Sequence, residues 1–414
     1  MNITYWNCNC PTTTAHNALG SLPIGFLSIQ YCFWYDREHM ALLDKISDFN
    51  FLKKSDNKSV LGIDIGETSI KVVQLRKDEG TAVLETYGEI ALGPYANLEI
   101  GQSVQPTVDQ TVAALSDLIK EANVTTKSCG ASIPFSSSLI SVIQMPKLDK
   151  KQLAKMIPIE ARKYIPVPVS EVTLDWFVIP KEEKVESFDS DEEKDTVQDS
   201  KINILLVAIH NEVLSQYREI MRAAGLELSF YEIEIFSTIR SILGRNLKPA
   251  LVIDIGASTT KLFIVEFGIV KMSHVISRGS QTITRTLARS LQLSQTEAET
   301  LKRKVGIADP VDHKEVTDAS LLVLTDIFAE VNRVLLQFQK QYNKNVGQVY
   351  LTGGGSALKG VLSFTSQHLE TEVILGDPFS KVESPSFLED VLKEVGPDFS
   401  VAVGLALRKL QETE

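Results

Sequence analysis

The chain has 414 residues, of which 43% are hydrophobic and 23% are charged, and this composition excludes a disordered, collagen-like or coiled-coil protein. Its length predicts two or three globular domains. Lys and Arg number 42 against 53 Asp and Glu, a formal net charge of −11. This balance argues against nucleic-acid binding through overall positive charge but leaves room for a local basic patch. The four cysteines form no disulfide framework, which favours a reducing compartment.

Residues 1–39 differ from the rest of the chain. They hold three of the four cysteines, whose spacing fits no standard zinc finger. The apolar stretch 19–35 is interrupted by Pro23 and lacks a basic leader, so it is a poor transmembrane helix and a poor signal peptide. Met40 then opens a run that leads into the first clear strand. We hypothesise that translation begins at Met40 and that residues 1–39 are an extension outside the fold.

An internal repeat organises the sequence after Met40. Residues 61–75 (LGIDIGETSIKVVQL) align with residues 251–265 (LVIDIGASTTKLFIV) at a constant offset of 190. In each copy a β-branched run is followed by Asp, an apolar residue, Gly, small hydroxylated residues and a second strand, a pattern that predicts a β-hairpin. The tight turns are predicted at Gly66–Ser69 and Gly256–Thr259. Both copies continue into a third strand and an amphipathic helix, predicted near 82–92 and 106–122 in the first copy and near 270–277 and 279–291 in the second.

A stretch with its own pattern, about residues 136–225, separates the two copies. It is predicted to hold strands at 138–144, 172–179 and 202–209, a helix beginning near Asp149, and a helix at 211–224 that Gly225 closes. Within it, residues 181–201 carry nine acidic residues and four lysines with almost no apolar side chains. This segment is predicted to be a disordered surface loop between two strands, with an acidic docking tail as the alternative.

Both hairpins carry residues suited to binding phosphate groups. A polyphosphate bound without a Walker loop needs converging backbone N–H groups, small residues that allow close approach, and a carboxylate for the metal. The two aspartates are candidates to hold Mg²⁺ through water. An ordinary turn is the alternative for one hairpin alone, but two copies in register favour phosphate binding. The candidate residues are Asp64, Gly66, Thr68, Ser69 and Lys71 in the first hairpin, and Asp254, Gly256, Ser258, Thr259 and Lys261 in the second.

A third element supports this interpretation. The apolar strand at 349–352 runs into Gly353, Gly354 and Gly355, and a helix is predicted to start near Leu358. Glycines between a strand and a helix allow the backbone to contact a nucleotide at the helix N-terminus, although they also form plain tight turns. Further along the predicted elements, Glu299 and Lys302 share one face of a helix, where an exposed ion pair is the simpler interpretation.

The two hairpins and the later glycine turn resemble the phosphate 1, phosphate 2 and adenosine motifs of the actin, Hsp70 and sugar-kinase superfamily. Within it, the chain from about Met40 onward resembles the PilM family of actin-like type IV pilus assembly proteins, which is related to the cell-division protein FtsA. The segments that carry this resemblance are IEARKYIPVP at 159–168, with Asp175 after it, AETLKRKVG at 298–306, LTGGGSALKGV at 351–361 and GPDFSVAVGLALR at 396–408.

The resemblance implies an α/β, actin-like fold with two RNase H-like halves around a nucleotide cleft and an FtsA-like, SHS2-like inserted subdomain. The first half would comprise 40–135, 226–247 and 396–414, the insert 136–225, and the second half 248–395. It also implies ATP and Mg²⁺ as ligands, with both hairpins at the phosphates. Gly279 would lie near the nucleotide, Glu299 and Lys302 near the ribose and base, and Gly353, Gly354 and Gly355 in the adenosine turn.

The resemblance further implies a partner, the cytoplasmic N-terminal tail of the inner-membrane protein PilN. The protein would then be cytoplasmic and peripheral to the inner membrane through the pilus assembly complex. The tail would lie in a groove that involves the inserted subdomain and its neighbour. Residues of 159–168 are candidates to shape it, with a core helix end and a proline stop as the alternative for each of them. Nucleic acid is not an expected partner, and self-association is left open.

Hydrolysis of ATP is expected to be weak at most. Related ATPases place an acid or Gln near the end of the strand that leads out of the first half. The corresponding residues here, 129–138 (CGASIPFSSS), contain neither. No catalytic residue is therefore assigned. The alternatives are a small-molecule kinase and an FtsA-like filament protein, although the last predicted helix is followed by no amphipathic anchor. Residues 40–52 have apolar residues at helical spacing, which leaves a weak membrane contact open.

Overall fold

The structure is a computed structural model, and it describes residues 59–179, 201–244, 248–308 and 311–412. The predictions for residues 1–39, for a start at Met40, for a membrane contact at 40–52 and for the acidic loop up to residue 200 lie outside the described residues.

The described residues alternate between strands and helices. The strands are β1 Ser59–Ile65, β2 Ser69–Asp78, β3 Thr81–Ala91, β4 Ser128–Ile133, β5 Ser138–Pro146, β6 Val172–Ile179, β7 Lys201–His210, β8 Glu227–Ile233, β9 Ala250–Ile255, β10 Thr260–Glu266, β11 Ile269–Ile276, β12 Gln348–Thr352 and β13 Val373–Leu375. The helices are α1 Val108–Glu121, α2 Lys150–Ala161, α3 Asn211–Ala223, α4 Glu234–Ile242, α5 Ser280–Leu291, α6 Gln295–Val305, α7 Lys314–Tyr342, α8 Val361–Leu369, α9 Glu389–Val395 and α10 Ser400–Gln411.

Two five-stranded sheets have the same strand order. The first sheet runs β3-β2-β1-β4-β8 and the second runs β11-β10-β9-β12-β13. In each, an antiparallel hairpin is extended by parallel strands. Asp64 lies opposite Lys71 in the first hairpin, and Asp254 lies opposite Lys261 in the second. The prediction of two like-folded halves is therefore confirmed, and the offset of 190 residues is preserved in the strand register.

Several element ends follow from local sequence signals. Thr107 and Asp149 each cap a helix, α1 and α2, through a reciprocal capping box with Gln110 and Gln152. Beyond α3 the chain turns at Gly225, whose φ of 75° suits a residue without a Cβ. The helix predicted at 211–224 and the strand predicted at 172–179 are thus formed within one residue of their expected ends.

A third, three-stranded sheet has the order β5-β7-β6. One face of its central strand, with Ile204 and Leu206, packs with Leu153 and Ile157 of α2 in a separate hydrophobic cluster. The opposite face, with Leu205, belongs to the large cluster around the first sheet. The sheet therefore lies between α2 and the first sheet. Helix α3 follows β7 but packs on α1 and β8 of the first sheet.

Helices α4 and α10 form the packed centre of the molecule. They pack so closely that a Cβ at Gly404 would lie 2.0 Å from the carbonyl oxygen of Ser237. Beneath them the buried Glu232 carboxylate accepts hydrogen bonds from Arg240 at 2.5 and 2.7 Å and from Arg408 at 3.1 Å. Burial alone would raise the pKa of Glu232, but the two arginines lower it, so the carboxylate stays charged and paired. Within the described residues, no helix is both long and apolar enough to cross a membrane.

Candidate functional site

A cleft of about 420 Å³ is lined by residues from both five-stranded sheets. Most of the residues singled out from the sequence line it together. These are Asp64, Gly66, Thr68, Lys71, Asp254, Gly256, Thr259, Lys261, Glu299, Lys302, Gly353, Gly354 and Gly355. Three others, Ser69, Ser258 and Gly279, do not line it and are treated separately below.

The two hairpin turns are built alike. The amide of Gly66 donates to the carbonyl of Ser69 at 3.0 Å, and the amide of Gly256 donates to that of Thr259 at 2.9 Å. The amides that follow, at Glu67 and Thr68 in one turn and at Ala257 in the other, have no hydrogen-bond partner in the described parts of the chain. Consecutive free N–H groups in a turn form an anion-binding concavity. The first hairpin therefore offers two consecutive backbone donors of the kind that phosphate binding requires. The second offers one, because its Ser258 amide donates to the Glu67 carboxylate at 3.1 Å.

The glycine turn after β12 approaches the second hairpin closely. Gly353 has φ of 80°, and a Cβ there would lie 2.2 Å from Oδ1 of Asp254. The amides of Gly354 and Gly355 start a short 3-10 turn, Gly354–Ala357, and have no partner among the residues that the structure covers. The helix predicted to start near Leu358 is present but starts three residues later. Helix α8 begins at Val361, because this 3-10 turn comes between the glycines and the helix.

The carboxylate of Glu234 reaches the cleft from the start of α4. It accepts hydrogen bonds from the amide of Phe135 and from the ammonium of Lys261, both at 2.6 Å. Lys261 also lies 3.3 Å from Asp254. Burial would lower the pKa of Lys261, but the nearby carboxylates raise it well above its usual range. Burial raises the pKa of Glu234, while Lys261 opposes that shift.

Asp64 and Lys71 occupy the corresponding positions in the first hairpin. Asp64 accepts a hydrogen bond from the hydroxyl of Ser132 at 2.7 Å. Lys71, a candidate for phosphate binding, lines the cleft, where its ammonium lies 3.1 Å from Asp398 and 3.3 Å from Glu89. Burial alone would lower the pKa of Lys71, and these carboxylates raise it above its usual range. Burial raises the pKa of Asp398 to about 6, although the positive charge of Lys71 opposes this shift.

Glu299 and Lys302 form an ion pair of 2.7 Å on one face of α6. The expectation of an exposed pair is wrong, because Lys302 is only 7% exposed and both residues line the cleft. Thr284 of α5 donates to Glu299 at 2.6 Å and accepts from Lys302 at 3.0 Å. Burial lowers the pKa of Lys302, whereas the Glu299 carboxylate opposes that shift. The pair is therefore held in place at one wall of the cleft.

Three residues expected in the site have supporting positions instead. The hydroxyl of Ser69 accepts a hydrogen bond from Lys71 at 2.8 Å, and Ser69 is buried. The hydroxyl of Ser258 donates to that of Ser103 at 2.9 Å, outside the lining. Gly279 precedes α5, and a Cβ there would lie 2.4 Å from the carbonyl oxygen of Ala257, so this glycine lets α5 pack on the second turn.

The sequence prediction missed several charged residues of the cleft: Glu67, Glu89, Glu234, Arg303 and Asp398. Residues 129–138 contain no acid, but Glu234 brings a carboxylate to the cleft, because β4 leads into the three-stranded sheet whereas β8 ends at α4. A signal for it existed, since Glu234 directly follows a strand. Within the described ranges, no three His, Cys, Asp or Glu side chains are arranged to hold a metal ion by themselves.

Comparison with known proteins places this geometry in a family. The model of the family described as type IV pilus assembly protein PilM matches residues 62–410. Among curated proteins, the cell division protein FtsA of Bacillus subtilis is 22% identical over 371 residues, which cover 81% of this chain and 83% of that protein. FtsA of Pseudomonas aeruginosa is 21% identical over 393 residues, which cover 86% of this chain and 90% of that protein.

Solved structures agree with this placement. A structure of the PilM-PilN type IV pilus biogenesis complex has a TM-score of 0.70 and 25% identity, covering 85% of this chain and 98% of that chain. MreB5 of Spiroplasma citri bound to ADP has a TM-score of 0.50 and 9% identity, covering 87% of this chain and 98% of that chain, a likeness of fold alone. The chain therefore has the actin-like fold and belongs to the PilM family of type IV pilus assembly proteins.

Proposed function

We propose that the chain is an ATP-binding adaptor of type IV pilus assembly that holds ATP and Mg²⁺ in the cleft and binds the cytoplasmic tail of PilN. The observation that carries the nucleotide part is the pair of hairpin turns whose free amides, at Glu67, Thr68 and Ala257, border one cleft. Donors already fixed in the backbone bind anions without further ordering.

The residues present fit a nucleotide with its metal. The amides and the hydroxyls of Thr68 and Thr259 would hold phosphate oxygens, with Lys71 and Lys261 adding positive charge nearby. Asp64 and Asp254 would hold Mg²⁺ through water, which agrees with the lack of a direct metal cluster in the described residues. Bound Mg²⁺ would supply charge neutralisation at the phosphates.

The adenosine would lie against the glycine turn. Gly353, Gly354 and Gly355 bring backbone close to the cleft without side chains, and the last two offer free amides. Glu299 and Lys302, fixed by their mutual ion pair, would contact the ribose and base. Gly279 contributes indirectly, because it lets α5 approach the second turn.

ATP hydrolysis is proposed to be weak, but not because the cleft lacks an acid. A carboxylate does line the cleft, so the lack of an acid in 129–138 no longer supports slow turnover. Glu234 would orient a water molecule, but its carboxylate is already bound to Lys261 and to the amide of Phe135. An acceptor that is engaged in this way is a poor general base, so turnover should be slow.

The partner proposal rests on the family and on the inserted subdomain. The likeness to a PilM-PilN complex supports a PilN tail as the ligand, with the protein at the cytoplasmic side of the inner membrane through that complex. Because α3 packs on the first sheet, we place the end of the insert near His210, before the predicted residue 225. The groove would then lie between the three-stranded sheet and the first sheet, where Ile209 and Phe177 contact the first-sheet cluster. Residues 159–168, which pack on the other face of the three-stranded sheet through Ala161 and Ile165, would then not shape it, unlike the expectation from the sequence.

A peptide titration tests the partner part of the proposal. A synthetic PilN tail peptide is titrated into the full chain with ATP and Mg²⁺, with ADP and Mg²⁺, and without nucleotide, by calorimetry. Binding in any state supports the adaptor function, and no binding in all of them contradicts it. Separately, Asp64→Ala should weaken ATP binding roughly 100-fold, since it removes a metal anchor, whereas the exposed Asp390→Ala should not. Unchanged affinity of Asp64→Ala would remove Asp64 from the site.

A further inference from the structure

Helix α2 and its flanks carry a local excess of positive charge. Residues 147–164 contain six cations and two anions, although the remainder of the chain has 36 cations and 51 anions. Both anions are engaged: Asp149 caps α2 through the amide of Gln152, and Glu160 binds Lys163 at 2.8 Å. The other five cations, Lys147, Lys150, Lys151, Lys155 and Arg162, have no ion-pair partner among the described residues.

Three of the free cations share one helix face with exposed apolar side chains. Lys151, Lys155, Ile159 and Arg162 follow one another at helical spacing, opposite the buried Leu153. Ile159 is 58% exposed, Met156 beside it is 42% exposed, and Tyr164 after the helix is 41% exposed. We call the six residues Lys151, Lys155, Met156, Ile159, Arg162 and Tyr164 the α2 face.

The α2 face is directed away from the sites already described. Leu153 and Ile157 attach α2 to one side of the three-stranded sheet, and the first sheet lies on the other side. None of the α2 face lines the nucleotide cleft. A ligand on this face would therefore need neither bound nucleotide nor the groove beside the first sheet.

We propose that the α2 face docks directly on an anionic phospholipid surface. Cations interleaved with exposed apolar and aromatic side chains on one helix face are typical of helices that lie in a membrane interface. The cations would attract acidic headgroups while Met156, Ile159 and Tyr164 enter the headgroup boundary. An acidic protein segment would match the charges but leave the apolar side chains unused. The net negative charge of the remaining chain would be repelled, which orients the molecule with α2 towards the lipid.

Vesicle sedimentation of the full chain, without nucleotide or PilN peptide, tests the proposal. Vesicles of phosphatidylcholine alone are compared with vesicles that contain equal parts of phosphatidylglycerol. The chain should sediment only with the anionic vesicles, and more weakly as salt is raised. Lys151→Glu combined with Lys155→Glu should reduce binding about tenfold or more. Ile159→Ser should reduce binding several-fold without a change in charge.

A matched control is the pair Arg289→Glu and Lys340→Glu, which changes the net charge equally at exposed positions of the second half. It should bind like the unaltered chain, and all variants should melt within a few degrees of it, because the altered residues are exposed. Three results would overturn the proposal: no sedimentation of the unaltered chain with anionic vesicles, equal losses in the two charge-reversed pairs, or persistent binding in both. Binding to a poly-glutamate peptide but not to vesicles would likewise assign the face to an acidic protein.

Discussion

The Glu234 carboxylate lies 2.6 Å from the Lys261 ammonium, so the first residue of α4 is bound to the second hairpin. Lys261 is also 3.3 Å from Asp254, so one half-buried cation pairs with two carboxylates. An interaction of this kind between charged groups is short and directional. It fixes the Glu234 side chain in the cleft and at the same time limits its ability to accept a proton from water.

Glu234→Gln should therefore reduce the residual ATP hydrolysis about 100-fold, because an amide cannot act as a base. ATP affinity should change only a few-fold, since Lys261 keeps Asp254 as a partner. Single-turnover hydrolysis of labelled ATP and a calorimetric titration measure the two quantities. Glu212→Gln, at an exposed position of α3, is the control and should change neither. A Glu234→Gln protein that hydrolyses ATP at the unaltered rate would exclude this carboxylate from the reaction.

Gly353→Ala should disturb the cleft far more than Gly225→Ala. Both glycines have positive φ, 80° and 75°, so alanine costs about 1 to 2 kcal/mol in backbone strain at either position. Only at Gly353 would the new Cβ also meet Asp254, at 2.2 Å from Oδ1, whereas nothing lies within 4 Å of a Cβ at Gly225. Urea unfolding and ATP titration of both variants give the comparison. Equal losses of stability with full ATP binding would contradict a close approach at Gly353.

How much of the site the sequence could predict depends on how far apart in the chain the interacting residues lie. The hairpin turns were predictable because the Gly and Asp of each turn are neighbours in the sequence, and the repeat shows them twice. Glu89, Glu234 and Asp398 could not be found in this way, since folding brings them to Lys71 or Lys261 from distant elements. The packing of α3 could not be predicted for the same reason, because α3 packs on α1 and β8, which lie far from it in the sequence or belong to another sheet than β7.

The stability of the protein should depend on pH through Asp398. Burial raises its pKa from 3.8 to about 6, so between those values the folded protein holds a proton that the unfolded chain has released. The contribution of Asp398 to the free energy of unfolding therefore falls as the pH rises through this window. Asp398→Asn removes the titration. Urea unfolding at several pH values measures the free energy of unfolding of both proteins. The value for the unaltered protein minus that for Asp398→Asn should decline as the pH rises, and a flat or rising value would contradict the assignment.

Glu99 should slow the release of nucleotide from the cleft. Its carboxylate accepts hydrogen bonds from the amide and the hydroxyl of Thr296, at 2.8 and 2.7 Å, and so ties the segment after β3 to the start of α6. The neighbouring Gly101 carbonyl accepts a hydrogen bond from Gln281 at 3.4 Å, and the Ser103 hydroxyl bonds that of Ser258. These contacts join the first half to the second beside the cleft.

An exposed charge-assisted contact of this kind contributes about 1 kcal/mol, which corresponds to a factor of about five in rate. Glu99→Ala should therefore release a fluorescent ATP analogue about fivefold faster in a stopped-flow displacement experiment. The melting temperature should fall little, because Glu99 is exposed and its removal leaves no buried group unpaired. Glu212→Ala should release the analogue at the unaltered rate. If Glu99→Ala does so too, the link between Glu99 and Thr296 does not help to keep the cleft closed.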